Sequence, residues 1–393
     1  MISVEEALNA LFELTSPLPQ EVVSLRRAAG RVMVASPSAV RAQPPFAASS
    51  MDGYAIRAED AQTGLRLDVI GESAAGGAFA GTVSKGQAVR IFTGAPIPDG
   101  ANHVEIQENV TRSGDQITLT EASPSGANIR KRGQDFEEGH TLSTPRRLTP
   151  SDVALLAAMN APEVLVTRRP TVSLIANGDE LVMPGESPAD DQIISSNGFG
   201  LAALLESVGA IPRILPIARD TADSLSSALR FARGADLIVT IGGASVGDHD
   251  IVRDVVGNAG LEQSFYKVAM RPGKPLMAGK VGDTPVIGLP GNPVSAMVCG
   301  EIFLKPVVAA MQGLPAAPRA RQRAPLAHDL PQNGPRAHYM RARLEDGRLT
   351  VAQRQDSGLL NVLAGANALA IVEPRNGPFK AGDPVEFIQL AQS

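Results

Sequence analysis

Acidic and basic side chains in this chain sit in short Gly- and Pro-rich loops, several of them placed directly after an apolar run. The run 237–241, Leu-Ile-Val-Thr-Ile, has the character of a buried parallel strand. It empties into Gly242-Gly243-Ala244-Ser245-Val246-Gly247-Asp248-His249-Asp250. Glycines at a strand end expose backbone N–H groups at the carboxyl edge of a sheet, where α/β folds bind ligands. Asn177-Gly178-Asp179-Glu180-Leu181 follows one earlier strand-like run, and Ala218-Arg219-Asp220 another. Parallel strands share a direction, so the three loops should converge on one crevice. Hard carboxylate donors there suit Mg2+, which keeps several waters and leans on substrate phosphates. Taken singly, Asp220 could cap a helix and Asp179 a turn; recurrence at three sheet edges is what argues for a site.

A cationic set, Lys267, Arg271, Lys274 and Lys280, lies just downstream. Pro272 and Pro275 stiffen the backbone around Lys274, which presents its ammonium from a fixed loop suited to phosphate or another oxyanion. A solvated surface loop would be the reading if the glycine loops were absent. Gly243-Ala244-Ser245-Val246-Gly247 also fits the G-x-S-x-G nucleophile elbow of serine hydrolases. That fold needs an elbow running straight into a helix, then an Asp and a His. Here Asp248 and Asp250 intervene, and His328 and His338 fall in the tail. Neither G-x-G-x-x-G nor the Walker A pattern occurs, so dinucleotide and P-loop readings fail.

The elements around these loops predict several units. Ser3-Val4-Glu5-Glu6 is a capping box that opens a helix to about residue 14, and a second helix-like segment covers 25–29. After Gln43-Pro44-Pro45 the chain turns rich in Gly, Thr, Val and Ser, with alternating runs at 66–70, 88–92 and 116–120 that read as a small β-domain. Helix returns at Thr149-Pro150, so the β-segment is inserted into a helical unit. From Pro170 strands (172–176, 213–217, 237–241, 286–289) alternate with helices (197–208, 222–232, 293–311 capped by Asn292), which predicts a doubly wound parallel sheet. Beyond a linker at 313–318, runs at 338–344, 349–353, 368–372 and 384–388 predict a small all-β tail.

With 393 residues the chain exceeds one ordinary core. A net charge of −5 and the absence of Trp argue against a nucleic-acid surface. The single cysteine, Cys299, excludes an intrachain disulfide and a multi-cysteine metal site. No secretory signal pattern and no uninterrupted apolar run of membrane-spanning length are visible, so the expected location is the cytoplasm, without a membrane partner.

Ser50-Met51-Asp52-Gly53-Tyr54, Ile91-Phe92-Thr93-Gly94-Ala95-Pro96, the loops 177–181 and 242–250, and Arg271-Pro272-Gly273-Lys274-Pro275 are the first five of six ordered motifs. The sixth runs Gly288-Leu289-Pro290-Gly291-Asn292-Pro293-Val294-Ser295. Together they resemble the molybdopterin molybdenumtransferases, the MoeA and gephyrin E-domain family, over nearly the whole chain. The resemblance implies a helical dimerisation domain (1–44 plus 141–169), an inserted β-domain (45–140), a molybdopterin-binding α/β domain (170–317) and a C-terminal β-barrel (318–393). It implies a homodimer with sites in clefts between subunits. The implied reaction takes adenylylated molybdopterin and molybdate, cleaves the phosphoanhydride with Mg2+ present, releases AMP and leaves molybdenum on the dithiolene.

By the same motif matching, Glu180, Asp220 and Asp250 would hold Mg2+, and Lys267, Arg271 and Lys274 would neutralise phosphate or molybdate. Gly242, Gly243, Ser245, Gly247 and Asp248 would bind the pterin phosphate, with Ser245 a hydrogen-bond donor. Asp52, Thr93 and Asp135 would reach the site from the inserted domain, Pro290 and Pro293 would shape it, and Arg341 and Ser357 would enter from the tail. Partners implied are a molybdopterin adenylyltransferase and recipient molybdoenzymes. A gephyrin-type scaffold or an adenylyltransferase are the alternative functions. Two departures stand out: Asn177 where the family usually has Thr, and Arg271 where many members have Lys.

Overall fold

The computed structural model describes residues 1–242 and 261–390. Ser3 caps the first helix, Val4–Glu13: its hydroxyl accepts from Glu6 N at 3.1 Å, and Ser3 N donates to Glu6 Oε2 at 2.7 Å. The buried face, Ala7, Leu8 and Leu11, joins the core of the α/β unit.

The rest of the split unit is more β than its sequence suggests. Gln20–Ser24, Glu163–Thr167, Val32–Ala35 and Arg146–Arg147 form a four-stranded antiparallel sheet beside the helix Pro150–Ala158. The helix-like segment at 25–29 is only a single 3-10 turn, Leu25–Arg27. These strands pair across the whole inserted segment, so no local period announces them. The insert itself is a six-stranded sheet in the order His103–Ile106, Gly53–Ile56, Gln87–Ile91, Arg66–Ser73, Gln116–Leu119, Val110–Ser113.

In the α/β unit, Ile211–Ile214, Thr171–Ala176, Leu237–Ile241 and Thr284–Leu289 are parallel neighbours in that order. Two antiparallel strands, Met277–Val281 and Leu261–Tyr266, extend the sheet beyond them, so it is mixed and not wholly parallel. The strand expected at 213–217 begins two residues earlier, where Ile211 and Pro212 pair with Thr171 and Val172. Helices Asn197–Ser207 and Ala222–Phe231 cover the sheet together with the apolar stretch 293–311. That stretch has the length and hydropathy of a membrane span, yet 78% of it is buried inside the protein. Glu301 and Lys305, paired at 2.8 Å, interrupt it. A π-type turn, Gly300–Leu304, lets it approach helix Asn197–Ser207 closely: a Cβ at Gly300 would stand 2.8 Å from Leu201 Cδ2.

The tail runs Gln322–Pro325, Pro384–Gln389, Ala368–Val372, Ala337–Glu345, Arg348–Val351, all antiparallel neighbours. A bridge between Leu326 and Leu349 joins the two ends into a barrel. One strand crosses the domain boundary. Met270–Arg271 leaves the α/β unit and pairs in parallel with Ala337 and His338 of the barrel.

Candidate functional site

Three of the parallel strands end at the same sheet edge, and glycines let their loops touch. Gly242 has φ +91°, and a Cβ there would lie 2.6 Å from Asn177 O. A Cβ on Gly291 would lie 3.4 Å from Gly242 Cα. Asn197, at the start of its helix, donates from Nδ2 to Gly291 O at 2.7 Å. The N–H of Gly242 itself goes to Leu289 O at 3.1 Å. Gly242 therefore supplies close backbone approach, not the phosphate-binding amide expected of it. Gly243, Ser245, Gly247, Asp248 and Asp250 lie outside the described residues.

The carboxylate loops meet as the strand directions require. Asn177 Nδ2 donates to Asp220 Oδ1 at 2.5 Å, Asp179 N to Asp220 Oδ2 at 3.4 Å, and Asp220 N to Asp179 Oδ1 at 3.1 Å. Asn177, in the place of the family Thr, thus orients Asp220. Glu180 folds back over Gly178: a Cβ at Gly178 would meet Glu180 Oε2 at 2.3 Å and push the carboxylate off this position. Asp179, Glu180 and Asp220 are exposed. The donor set is oxygen-rich and open to water, which fits a hard cation that retains part of its hydration. Among the described residues no three His, Cys, Asp or Glu side chains gather as a metal cluster.

From Gly291 the same loop leads into a cationic pocket. Asn292 occupies the N-cap position of helix Pro293–Cys299, but its side chain makes no cap bond; Nδ2 donates instead to Ser357 Oγ at 3.1 Å. Val294 N donates to Ser357 O at 3.0 Å, which binds the barrel to the α/β unit. Between them opens a pocket of about 240 Å³ lined by Arg271, Lys274, Ser295, Arg336, Asp356 and Ser357, among others. Val268 N donates to Lys274 O at 3.0 Å, which pins the loop carrying both cations. Arg341 lies beside the lining, wholly buried; Nη2 donates to Asp356 O at 2.9 Å, while Nε and Nη1 have no partner. Burial, and then Arg271, hold its pKa down, against the pull of Asp356. Burial also drives His338 down to about 4, with Arg271, Arg341 and Arg336 adding to the shift. Uncompensated guanidinium N–H groups beside three further cations leave an excess of positive charge, which suits an anion.

Of the residues expected at the site, Arg271, Lys274 and Ser357 line this one pocket and Arg341 lies beside it; Arg336 and Ser295 line it too and had no expected role. Ser295 was quoted in a motif without a role; Arg336 carried no local signal, because only barrel closure brings it to the pocket. Pro290 is buried and Pro293 opens the helix beneath the site. Lys267 does not line the pocket: its Nζ lies over the Tyr266 ring, 4.6 Å from the centroid. In the inserted domain, Asp52 Oδ1 accepts from Thr93 N at 2.7 Å and Thr93 Oγ1 at 2.9 Å, and the backbone bond foremost holds its pKa down. Asp135 is exposed. Within one subunit, no hydrogen bond or ion pair among the described residues ties Asp52, Thr93 or Asp135 to either cluster. The hydrolase reading loses its base as well: His338 is buried among arginines, and His328 is exposed on the barrel.

Comparison with known proteins agrees along the whole length. Residues 2–160 match the MoeA N-terminal region (domain I and II), 173–310 a probable molybdopterin binding domain, and 323–390 the MoeA C-terminal region (domain IV). A molybdopterin molybdenumtransferase of Haemophilus influenzae is 34% identical, with 98% of each chain covered. Molybdopterin molybdenumtransferase 2 of Mycobacterium tuberculosis is 36% identical, with 94% of this chain and 95% of the relative covered. The crystal structure of a molybdopterin biosynthesis MoeA protein from Pyrococcus horikoshii superposes with a TM-score of 0.83 at 29% identity, covering 99% of this chain and 100% of the other. Domain by domain and end to end, the chain belongs to the family of the molybdopterin molybdenumtransferases.

Proposed function

We propose that this chain is a Mg2+-dependent molybdopterin molybdenumtransferase of molybdenum cofactor biosynthesis. It takes adenylylated molybdopterin and molybdate, cleaves the phosphoanhydride, releases AMP and leaves molybdenum on the dithiolene. The observation that carries this reading is the cationic pocket running on, through Asn292 and Gly291, from the carboxylate-bearing sheet edge. Arg271, Lys274 and Arg336, with the hydroxyls of Ser295 and Ser357, hold molybdate in this reading. Glu180, Asp220 and Asp250 hold Mg2+ against the phosphates. The ion supplies charge neutralisation at the phosphoanhydride. Asn177 and Asp179 keep Asp220 oriented, and the glycine contacts between loops bring the substrate phosphates close to backbone.

Among the described residues Asp52, Thr93 and Asp135 make no hydrogen bond or ion pair to the site in their own subunit, which supports a homodimer whose inserted domain completes the partner's site. A molybdopterin adenylyltransferase upstream, recipient molybdoenzymes downstream and a cytoplasmic location complete the proposal.

The test measures AMP release from adenylylated molybdopterin, with and without EDTA, for Glu180→Gln, Asp250→Asn and Ser245→Ala. The two carboxylate variants should fail and Ser245→Ala should be mild, since one hydroxyl contributes about 1 kcal/mol. EDTA-insensitive release that vanishes in Ser245→Ala would overturn the assignment. Mixing inactive Asp52→Ala and Asp250→Ala chains should restore activity in heterodimers; verified heterodimers without activity would sink the shared site.

A further inference from the structure

We propose that a second anion site, for a small phosphorylated metabolite, lies where the split domain meets the α/β domain. A cavity of about 400 Å³ opens there, lined by Arg27, Arg31, Arg147, Arg169, Glu206 and Ser207, among others. It shares no lining residue with the Arg271 pocket. Four arginines face a single carboxylate, and they come from three separate stretches of chain. A solvated basic run would come from one.

Their existing partners leave charge over. Arg31 is paired with Glu21 and donates to Thr167 O at 2.8 Å. Among the described residues Arg169 donates from its side chain to the carbonyls of Gly209 and Ala210, at 2.9 and 2.6 Å. Arg147 Nη1 reaches Gly30 O at 2.8 Å and Gln312 Oε1 at 3.4 Å, both neutral acceptors, and burial pushes its pKa down. Arg27 has no hydrogen bond or ion pair among the described residues. Gly209 protects the arrangement. It has φ +86°, and a Cβ there would stand 3.0 Å from Arg147 Nη1 and 2.9 Å from Gln312 Oε1.

Guanidinium groups offer paired N–H donors matched to phosphate oxygens. The volume falls within the range of small-molecule sites, about 300–1,000 Å³, so the phosphate is expected to be carried on a larger body. Glu206 and Ser207 offer that body an acceptor and a hydroxyl.

The test is calorimetric titration of the full chain with ribose 5-phosphate and with inorganic phosphate, in an Arg271→Ala background that weakens the first pocket. Ribose 5-phosphate should bind saturably and more tightly than inorganic phosphate. Arg27→Gln and Arg147→Gln should each weaken it roughly tenfold or more, as loss of a charge-assisted bond implies. Arg27 is exposed, so its variant tests the site even if Arg147→Gln misfolds. No saturable binding, or binding that survives Arg27→Gln combined with Arg147→Gln in a folded protein, would overturn the site. Equal binding of inorganic phosphate would overturn the metabolite assignment. Arg27→Gln should leave AMP release unchanged, so failure here is separate from failure of the transferase reading.

Discussion

Replacing Arg341 by Met should separate anion binding from stability. Arg341 is the largest fully enclosed side chain among the described residues, and its guanidinium makes one hydrogen bond, to Asp356 O at 2.9 Å. Nε and Nη1 are buried without partners. A buried ion so poorly compensated is a liability, and exchanging it for an apolar side chain of similar length is neutral or stabilising by about 1–4 kcal/mol. The anion-free Met variant should therefore unfold at the same or a higher temperature. Its charge beside the pocket would favour an oxyanion there by about 1–2 kcal/mol at an effective dielectric constant of about 20, so molybdate affinity should fall roughly five- to thirtyfold. Thermal unfolding with and without molybdate, alongside direct titration, reads both effects. A Met variant that is strongly destabilised yet binds molybdate as the parent does would refute the reasoning, because Arg341 would then be a structural ion.

Further outcomes follow from the same geometry. His338 has a folded pKa depressed to about 4, so the unfolded chain takes up its proton first as pH falls; stability from this group is full above about pH 6.5 and lost towards 4. Between pH 7 and 5 that loss amounts to about 2 kcal/mol, and denaturant titrations at both pH values should show it shrinking in His338→Leu. Gly178→Ala should displace the Glu180 carboxylate, which its Cβ would meet at 2.3 Å, and lower AMP release while circular dichroism stays unchanged. Gly242→Ala combines a left-handed backbone with a 2.6 Å clash against Asn177 O, and should lower the unfolding midpoint by the equivalent of at least about 1–3 kcal/mol. Arg271→Lys should keep turnover with an altered molybdate requirement, and Arg271→Ala should lose far more; identical molybdate dependence in wild type and Arg271→Ala would remove Arg271 from the site.

Local chemistry was legible where local physics decides. The Ser3–Glu6 and Thr149 caps were readable because a cap is a contact between residues three apart. The parallel strands were readable because strands buried on both faces are continuous apolar runs. That is also why the loops bearing Asp179, Asp220 and Gly242 could be assigned to one sheet edge. The split domain's antiparallel sheet was not, since Val32–Ala35 pairs with Glu163–Thr167 across the whole inserted domain. Lys267 shows the same limit at the site: it reads as part of the cationic set, but a ring contact with Tyr266 takes it elsewhere.

What the sequence alone determined is the chemical inventory and its order along the chain: carboxylates after strands, cations between prolines, glycines where backbones must touch. Tertiary structure decided which of these act together. Pairing of Arg271 with His338, closure of the barrel and the Asn292–Ser357 bond bring Arg336 and Ser295 around one cationic pocket, with Arg341 buried beside it. Closure of the split domain on the α/β unit leaves Arg27, Arg147 and Arg169 around another. Side-chain type fixes what a group can bind. Its burial, and the charges set beside it by contacts far apart in sequence, fix whether an anion is needed there.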